Sequence, residues 1–175
     1  CWRTISEGSG LECDNNPRVG AADEDRWRPR PVDRPRHIVV VGSGVAGLEA
    51  AHTAAGRGHR VTVLGSSAEA GGKTRLHARL PGGENLSSIY DYQLLAAHRS
   101  GAELRFGKQA ELETILKLSP DTVLLATGAT AAVPAFLPTG YLDLVPDARA
   151  MALEMLGRTG RQPGRVLLYD QEHTE

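Results

Sequence analysis

The feature that most constrains the fold of this 175-residue chain is a glycine pattern placed between a strand and a helix. Ile38–Val41 is a short run of β-branched residues that predicts a buried strand. Gly42, Gly44 and Gly47 follow it with G-x-G-x-x-G spacing, and an alanine-rich helix comes next. In such a turn the first glycine bends the chain, the second admits a pyrophosphate to the backbone, and the third lets helix and strand pack closely. The pattern therefore predicts a phosphate-binding turn at a helix N-terminus.

The sequence around this turn supports the prediction, because a glycine pattern alone is weak evidence. Val45 and Ala46 lie inside the turn, and the helix is expected to end at Gly56 and Gly58. A second strand, Val61–Leu64, follows directly. Strand, glycine turn, helix and strand make a complete β-α-β unit of about 30 residues, as a mononucleotide-binding fold requires.

The rest of the chain predicts further alternation of helices and strands. Gly71 and Gly72 interrupt a loop, and a strand at 121–129 is expected to be buried and to end in Ala-Thr-Gly-Ala. The other predicted elements are helices at 85–99, 111–118 and 147–157, strands at 103–106 and 165–169, and an irregular segment at 131–146. This order predicts an α/β fold with a mostly parallel sheet and helices on its faces. Together with the glycine turn, it predicts a Rossmann-like, three-layer FAD/NAD(P)-binding domain. Ligands of such sheets bind at the carboxyl ends of the strands, where 42–47 and 126–129 are expected to meet.

Composition excludes several classes of function. A net charge of -1 gives no support to a nucleic-acid surface, and no apolar run approaches the about 20 residues that span a membrane. Two cysteines are too few for a disulfide scaffold. Residues 1–36 are polar, with many charges and prolines, and predict an extended connector or disorder. The chain begins at a cysteine and stops just after the predicted strand 165–169, so we expect a fragment of a longer polypeptide.

Three further motifs, together with the glycine turn, carry a resemblance to a known family. Cys13 is followed by Asp-Asn-Asn-Pro, a Gly-Gly pair lies just past the second strand, and the strand 121–129 ends in Ala-Thr-Gly-Ala. The chain resembles, over nearly its whole length, the C-terminal part of the iron–sulfur flavoproteins related to old yellow enzyme (NADH:flavin oxidoreductases). That family includes 2,4-dienoyl-CoA reductases and the trimethylamine, dimethylamine and histamine dehydrogenases.

The resemblance implies an oxidoreductase with several cofactors. An FMN-bearing TIM barrel would precede this chain, and Cys1 and Cys13 would match the last two ligands of a [4Fe-4S] cluster held by C-x2-C-x3-C-x11-C. Residues 1–36 would then be a cluster loop and linker, 37–160 an FAD- or ADP-binding domain, and 161–175 the start of a second nucleotide-binding-like domain. The fragment alone would be inactive. We expect a cytoplasmic, homo-oligomeric parent protein that exchanges electrons with an electron-transfer flavoprotein or with NAD(P)H, and with no nucleic-acid or membrane partner.

The resemblance also implies a set of nucleotide-binding residues, and one of them departs from the family pattern. The set is Gly42, Gly44, Val45, Ala46, Gly47, Gly65, Ser66, Gly71, Gly72, Lys73, Arg75, Ala126, Thr127, Gly128 and Ala129. At the end of the second strand the family has Glu or Asp on the ribose hydroxyls, and this chain has Gly65. Ser66 and Ser67 would contact the ribose more weakly or accommodate a 2′-phosphate, with Arg60 or Lys73. Retained, weakened and lost nucleotide binding all stay open.

Two classes of function therefore remain. The first is the FAD- or ADP-binding domain of an electron-transferring enzyme. The second is a non-catalytic domain that holds a structural ADP, as in amine dehydrogenases. Trp27 near Pro29 and the acidic turn after residue 169 favour the resemblance to amine dehydrogenases. A stand-alone NAD(P)-binding domain is disfavoured by the cysteine loop. Six histidines without metal-ligand spacing and the absence of G-x-S-x-G give no support to zinc or acyl-transfer chemistry.

Overall fold

The structure is a computed structural model that describes residues 6–8, 10, 13, 19, 29–157 and 164–169. Two compact units divide at residue 128, the first ending at Gly128 and the second beginning at Ala129. Between residues 29 and 128 the first unit contains a four-stranded sheet and four α-helices. Its elements in chain order are β1 (His37–Val41), α1 (Val45–Gly56), β2 (Arg60–Leu64), α2 (Gly72–Ala78), a 3-10 turn (Glu84–Leu86), α3 (Ser87–Arg99), β3 (Glu103–Arg105), α4 (Leu112–Lys117) and β4 (Thr122–Leu125).

The sheet has the strand order β3-β2-β1-β4, and all three of its pairings are parallel. In register, Val39 of β1 lies opposite Thr62 of β2 and Val123 of β4. The chain order changes direction at β1, because β2 and β3 lie on one side of it and β4 on the other. In doubly wound sheets a ligand crevice opens at this switch point, at the carboxyl ends of the strands. The predicted α/β fold with a parallel sheet is confirmed.

The core of the first unit lies between the sheet and the packed helices α1 and α3. Alternating valines of β1 and β2 meet small alanines of the helices, so the helices approach the strands closely. The buried members of this cluster are Val40, Ala51, Ala55, Val61, Val63, Ala97 and Ala102. A second buried cluster consists of Leu48 of α1, Tyr90 of α3 and Ala70 in the segment that precedes α2. Burial of these side chains fixes α1 against β1, and with it the glycine turn between them.

The second unit is smaller. Its described elements are a 3-10 helix (Thr139–Leu144) and α5 (Ala148–Gly157). The carboxylate of Asp147 caps α5 by accepting bonds from the N–H groups of Arg149 and Ala150, at 2.8 and 2.9 Å. The rings of Phe136 and Tyr169 meet edge to face with centroids 4.9 Å apart.

Three predictions about secondary structure were wrong. The glycine pair at 71–72 does not interrupt a loop, because Gly72 is the first residue of α2. The strand predicted to be buried at 121–129 is the edge strand β4, only four residues long, and Leu125 is 73% exposed. Residues 165–169 form no strand, since no described segment pairs with them, and Leu167 is 96% exposed. A smaller correction is that the helix predicted at 85–99 begins as a 3-10 turn.

Candidate nucleotide-binding site

The glycine turn joins β1 to α1 at the carboxyl end of the sheet, and its three glycines have different surroundings. Gly42 has φ +116°, and a Cβ there would overlap the carbonyl oxygen of Ala126. A Cβ on Gly47 would overlap the carbonyl oxygen of Gly42. A Cβ on Gly44 would meet no heavy atom closer than the Cα of Gly72, at 4.0 Å. Gly42 and Gly47 are therefore required by the packing of the fold, whereas the space beside Gly44 is open.

The first turn of α1 offers backbone N–H groups that the protein does not use. Gly44 is the N-cap in an extended conformation, with no side-chain cap bond and no acidic residue in the first turn. Leu48 is the first residue of the helix whose N–H reaches back to the turn, donating to Gly44 at 2.9 Å. No described residue accepts a bond from the N–H groups of Val45, Ala46 or Gly47. Such groups at the positive end of a helix dipole form an anion site, so the open space beside Gly44 fits a pyrophosphate.

The second glycine pair closes one side of this space. The N–H of Gly71 donates to the carbonyl of Ser43 at 2.8 Å, and Gly44 and Gly71 form an isolated parallel bridge. Gly71 has φ +109°, and a Cβ there would lie 2.9 Å from the buried ring of Tyr90. A Cβ on Gly72 would lie 3.1 Å from the Cα of Gly44. The two glycine motifs, far apart in sequence, thus form one surface that we call the glycine cradle (Gly42–Gly47 with Gly71 and Gly72).

The end of β2 differs from the pattern that a ribose-binding carboxylate requires. Gly65 is buried, and a Cβ there would overlap Oγ of Ser43 and lie 2.9 Å from Cδ1 of Phe106. Ser43 is itself 7% exposed. A side chain cannot be added at Gly65 unless Ser43 and Phe106 move. The absence of the carboxylate is therefore built into the packing of the turn, and the sequence alone gave no sign of this coupling.

The other predicted site residues lie around the cradle in different settings. Lys73 is half-buried on α2, and Ser66 is exposed after β2. The guanidinium of Arg75 is already engaged: it donates to the carbonyl of Ala70 at 3.1 Å, pairs with Glu69, and lies 5.4 Å from the centroid of the Tyr90 ring. A direct contact between Arg75 and a nucleotide stays a prediction that would require an exchange of these partners.

The segment after β4 meets the cradle at one residue. Ala126 is half-buried, its N–H donates to Val41 at 2.8 Å, and its carbonyl faces Gly42. Thr127 and Gly128 are exposed, and Gly128 has φ +78°. Ala129 belongs to the second unit, where its carbonyl accepts a bond from Arg149 at 3.1 Å.

One interpretation of the ribose end was wrong. Arg60 begins β2 and lies at the opposite end of that strand from Gly65, where its guanidinium contacts Nδ1 of His37 at 2.6 Å. The fold does bring two basic residues to the end of β2: the carbonyl of Arg105 accepts a bond from the N–H of Gly65 at 2.9 Å, and the backbone N–H of Lys108 donates to the carbonyl of Gly65 at 3.4 Å. Sequence reasoning missed Lys108, because only the parallel pairing of β2 with β3 brings these two positions together.

The structure describes only one of the two predicted cluster ligands. Cys13 is a half-buried free thiol, whereas Cys1 lies outside the described residues, as do Trp27 and the acidic turn at 170–173. Within the described part of the chain, no group of three or more His, Cys, Asp or Glu is arranged to hold a metal ion. None of the described helices is both long enough and apolar enough to cross a membrane.

An open depression of about 490 Å³ lies at the other end of the sheet. It is lined by residues that precede β1 and by residues between α1 and β2: Pro31, Val32, Asp33, Arg34, Arg36, Arg57 and His59. Because it lies at the amino ends of the strands, this depression is separate from the glycine cradle.

The parallel sheet and the glycine turn between β1 and α1 define a Rossmann-like nucleotide-binding domain. In agreement with this, the chain matches the family described as "Pyridine nucleotide-disulphide oxidoreductase" over residues 12–91 and 36–161. The chain belongs to this family of oxidoreductases, whose members bind FAD.

Individual relatives confirm the resemblance to flavoproteins related to old yellow enzyme. The chain is 36% identical over 174 residues to "Probable N-methylproline demethylase" of Rhizobium meliloti, covering 97% of this chain and 24% of the relative. It is 36% identical to "Multifunctional alkene reductase/demethylase OYE" of Caballeronia cordobensis, covering 77% of this chain and 19% of the relative. Among solved structures, a 2-naphthoyl-CoA reductase complex matches with a TM-score of 0.65 and 28% identity, covering 77% of this chain and 20% of that one. The chain thus spans about a quarter or less of the relatives that it matches.

Proposed function

We propose that this chain is the adenine-nucleotide domain, binding FAD or ADP, of an FMN- and [4Fe-4S]-dependent oxidoreductase related to old yellow enzyme. The observation that carries the proposal is the open space beside Gly44, which is bounded by unused N–H groups of α1 and by the Gly71–Gly72 segment. The geometry fits a diphosphate, because Val45, Ala46 and Gly47 offer N–H donors and no described carboxylate lies in the first turn of the helix.

In this proposal the residues of the cradle have separate tasks. The N–H groups of α1 bind the diphosphate, and Gly71 and Gly72 give it a wall without side chains. The segment 126–128 follows β4 at the same edge of the sheet and borders the ligand. A bound FAD would supply an isoalloxazine for electron transfer between the FMN or the cluster and an electron carrier, whereas a bound ADP would be structural.

The wider assignment is an inference from the family and from the relatives. We propose that Cys1 and Cys13 ligate a cluster completed by cysteines of the same polypeptide, that residues 37–160 form the nucleotide domain, and that 161–175 open a following domain. An FMN barrel of the same chain, an electron-transfer flavoprotein or NAD(P)H, and further copies of the protein are the proposed partners in the cytoplasm. Iron and acid-labile sulfide in the full-length protein would support the cluster, and a colourless full-length protein would refute this wider assignment.

Equilibrium dialysis of the chain with FAD, ADP and NADP tests the nucleotide site, and Gly44→Ala gives the sharpest variant. Its φ of -76° suits any residue and its Cβ would come no closer than 4.0 Å to another protein atom, so the variant is expected to fold as the parent does. The added methyl group fills the approach to the phosphates and should weaken binding by about tenfold or more, the cost of one or two lost hydrogen bonds.

Gly140→Ala is the matched control, because a Cβ there also meets nothing within 4 Å and Gly140 lies in the second unit. Its nucleotide affinity should equal that of the parent. If no nucleotide binds the parent at millimolar concentration, or if Gly44→Ala binds as well as Gly140→Ala, the proposed site is wrong.

The alternative is a domain that holds a structural ADP, as the resemblance to amine dehydrogenases implies. Gly65 removes a carboxylate that would contact the adenosine ribose, a group that FAD and ADP share, so the packing at Gly65 is compatible with either nucleotide. Absorbance distinguishes the two: purified protein with FAD is yellow, whereas protein with ADP releases a colourless nucleotide on denaturation. A stand-alone NAD(P)-binding domain would require binding of NAD(P) in preference to both.

A further inference from the structure

The peptide unit between Ala70 and Gly71 is held at both of its polar ends. Its N–H, which belongs to Gly71, donates to the carbonyl of Ser43 in the glycine turn at 2.8 Å. Its carbonyl, which belongs to Ala70, accepts a bond from a terminal nitrogen of the Arg75 guanidinium at 3.1 Å. One peptide plane thus joins the glycine turn to a charged side chain on α2.

The carbonyl of Ala70 has its described hydrogen-bond partner in Arg75. Ala70 is 3% exposed, and within the described part of the chain no other group donates to this oxygen. A buried carbonyl without a partner costs free energy, so a chain that lost the guanidinium would turn the peptide toward water. Because the same peptide carries the N–H of Gly71, that rotation would weaken the bond to Ser43.

The guanidinium of Arg75 is itself fixed by two further contacts. It pairs with Glu69, and its central carbon lies 5.4 Å from the centroid of the Tyr90 ring. Tyr90 is 7% exposed, and the same ring packs against Gly71, where a Cβ would come within 2.9 Å of it. A planar fork of donors that is stacked on a ring and paired with a carboxylate is pre-organised. The three contacts therefore engage Arg75 with the protein rather than with the open space of the cradle.

The position of Gly71 decides the width of the space beside Gly44. Gly44 and Gly71 form a parallel bridge, and the Cα of Gly72 is the atom nearest to a Cβ built on Gly44, at 4.0 Å. A rotated Ala70–Gly71 peptide would move this wall away from the unused N–H groups of α1. Hydrogen bonds to a diphosphate would then lose strength, because they weaken steeply when donor and acceptor are misaligned.

We propose that Arg75 is a positioning residue of the nucleotide site, which holds the Gly71–Gly72 wall of the glycine cradle through the Ala70–Gly71 peptide and makes no contact with the nucleotide. The inference rests on the proposed nucleotide site and gives Arg75 a role different from that of a phosphate ligand. A guanidinium on the carbonyl also polarises the peptide, and this strengthens the bond from its N–H to Ser43.

Amide hydrogen exchange of the ligand-free chain, followed by nuclear magnetic resonance, tests the backbone step. In Arg75→Met the N–H of Gly71 should exchange about tenfold faster than in the parent, because its bond to Ser43 is weakened. The N–H of Gly42, which donates to Leu64 at 2.8 Å, should keep its rate. Unchanged exchange of Gly71 would overturn the proposal, and so would an equal acceleration of both amides, which a general loss of stability produces.

Titration of the chain with ADP tests the effect on binding. Arg75→Met should weaken the affinity about tenfold, whereas Arg75→Lys keeps a charged donor for the Ala70 carbonyl and should stay within about threefold of the parent. Arg79→Met is the matched control, because it removes the same charge from the exposed C-cap residue of α2. Its affinity for ADP should equal that of the parent.

The outcomes separate the role of Arg75 from the site on which it rests. Parent-like ADP affinity in Arg75→Met, or equal losses in Arg75→Met and Arg75→Lys, would overturn the positioning role and leave the nucleotide site standing. Equal weakening by Arg75→Met and Arg79→Met would show an effect of charge alone and would overturn the role in the same way. If the parent binds no ADP at millimolar concentration, both the site and the role of Arg75 are wrong.

Discussion

The guanidinium of Arg60 donates a hydrogen bond of 2.6 Å to Nδ1 of His37. Because a guanidinium can only donate, Nδ1 is the acceptor and the ring proton of the neutral histidine is on Nε2. Nε2 then donates to Oγ1 of Thr62 at 3.1 Å, and Thr62 donates to Glu103 at 3.3 Å. A directed chain of hydrogen bonds thus links β1, β2 and β3 at the end of the sheet opposite the glycine cradle. In ¹⁵N-resolved spectra at neutral pH, His37 should show the Nε2–H tautomer.

Thr62→Val should reveal how much this series of hydrogen bonds contributes to the free energy of unfolding. Thr62 is 2% exposed and its hydroxyl bonds two partners, so the isosteric valine leaves His37 without its acceptor. We expect a loss of about 1–2 kcal/mol in the free energy of unfolding, measured in urea. Thr122→Val, on the exposed strand β4, is the control and should change stability by less than about 0.5 kcal/mol. Equal losses of stability in the two variants would contradict a stabilising role of these hydrogen bonds.

Alanine substitutions in the glycine turn should separate folding from binding. Gly42→Ala combines a positive φ with overlap against a backbone carbonyl, and Gly47→Ala overlaps a backbone carbonyl as well. Each should destabilise the first unit by about 3 kcal/mol or more, visible as a large fall in Tm by circular dichroism. Gly44→Ala should keep the parent Tm, and a Gly42→Ala protein with that same Tm would refute the close packing of the turn on Ala126.

Acid should weaken the sheet through Glu103. A hydrogen bond from Arg105 lowers the pKa of this carboxyl, and desolvation by burial opposes this effect without cancelling it. A lowered folded-state pKa means that the unfolded chain binds the proton first, so the contribution is full above the unfolded value of about 4.3 and is lost as pH falls through the folded pKa. Urea midpoints of the parent and Glu103→Gln should therefore converge in acid. The side chain is 54% exposed, so the difference should be small and should decrease with salt.

Gln93 is a position where a substitution should raise stability. Its side chain is 7% exposed at the interface of α3 and α1, where Nε2 donates to Glu49 at 3.1 Å but the buried Oε1 has no partner among the described residues. Methionine has a similar shape without the unsatisfied oxygen, so Gln93→Met should stabilise the chain by about 1 kcal/mol in urea denaturation. A clear loss of stability would contradict this prediction, because the lost bond from Nε2 to Glu49 would then outweigh the removal of the unsatisfied oxygen.

The sequence predicted those parts of the fold that depend on neighbouring residues. β1, the glycine turn, α1 and β2 follow each other within 28 positions, and their hydrophobic periods and glycines are enough to identify them. The strand predicted at 165–169 failed, because β-branched and aliphatic residues do not make a strand without a partner to pair with. Likewise, apolar side chains did not bury β4, because burial is decided by what packs against a strand rather than by its composition.

The sequence likewise predicted some parts of the candidate site and missed others. Gly71 and Gly72 were placed beside the nucleotide by resemblance, and the structure brings them against Gly44 through a backbone bridge. The contact between Ser43 and Gly65 and the approach of Lys108 were not predictable, since each needs the strand order of the folded sheet. Both features lie at the ribose end of the site, where Gly65 is surrounded in the folded protein by residues that are distant from it in the sequence.

The pairing of β1 with β4 sets the order in which the domain can be assembled. His37 bonds Asp121 across 84 positions of the chain, and the carbonyl that closes the phosphate turn belongs to Ala126, just beyond β4. Contacts of such sequence separation form slowly, because a long loop must be closed first. During synthesis the turn therefore stays incomplete until residue 126 has left the ribosome. A nucleotide bound at the proposed site would therefore stabilise only the finished domain, because the site is not complete during the early steps of folding.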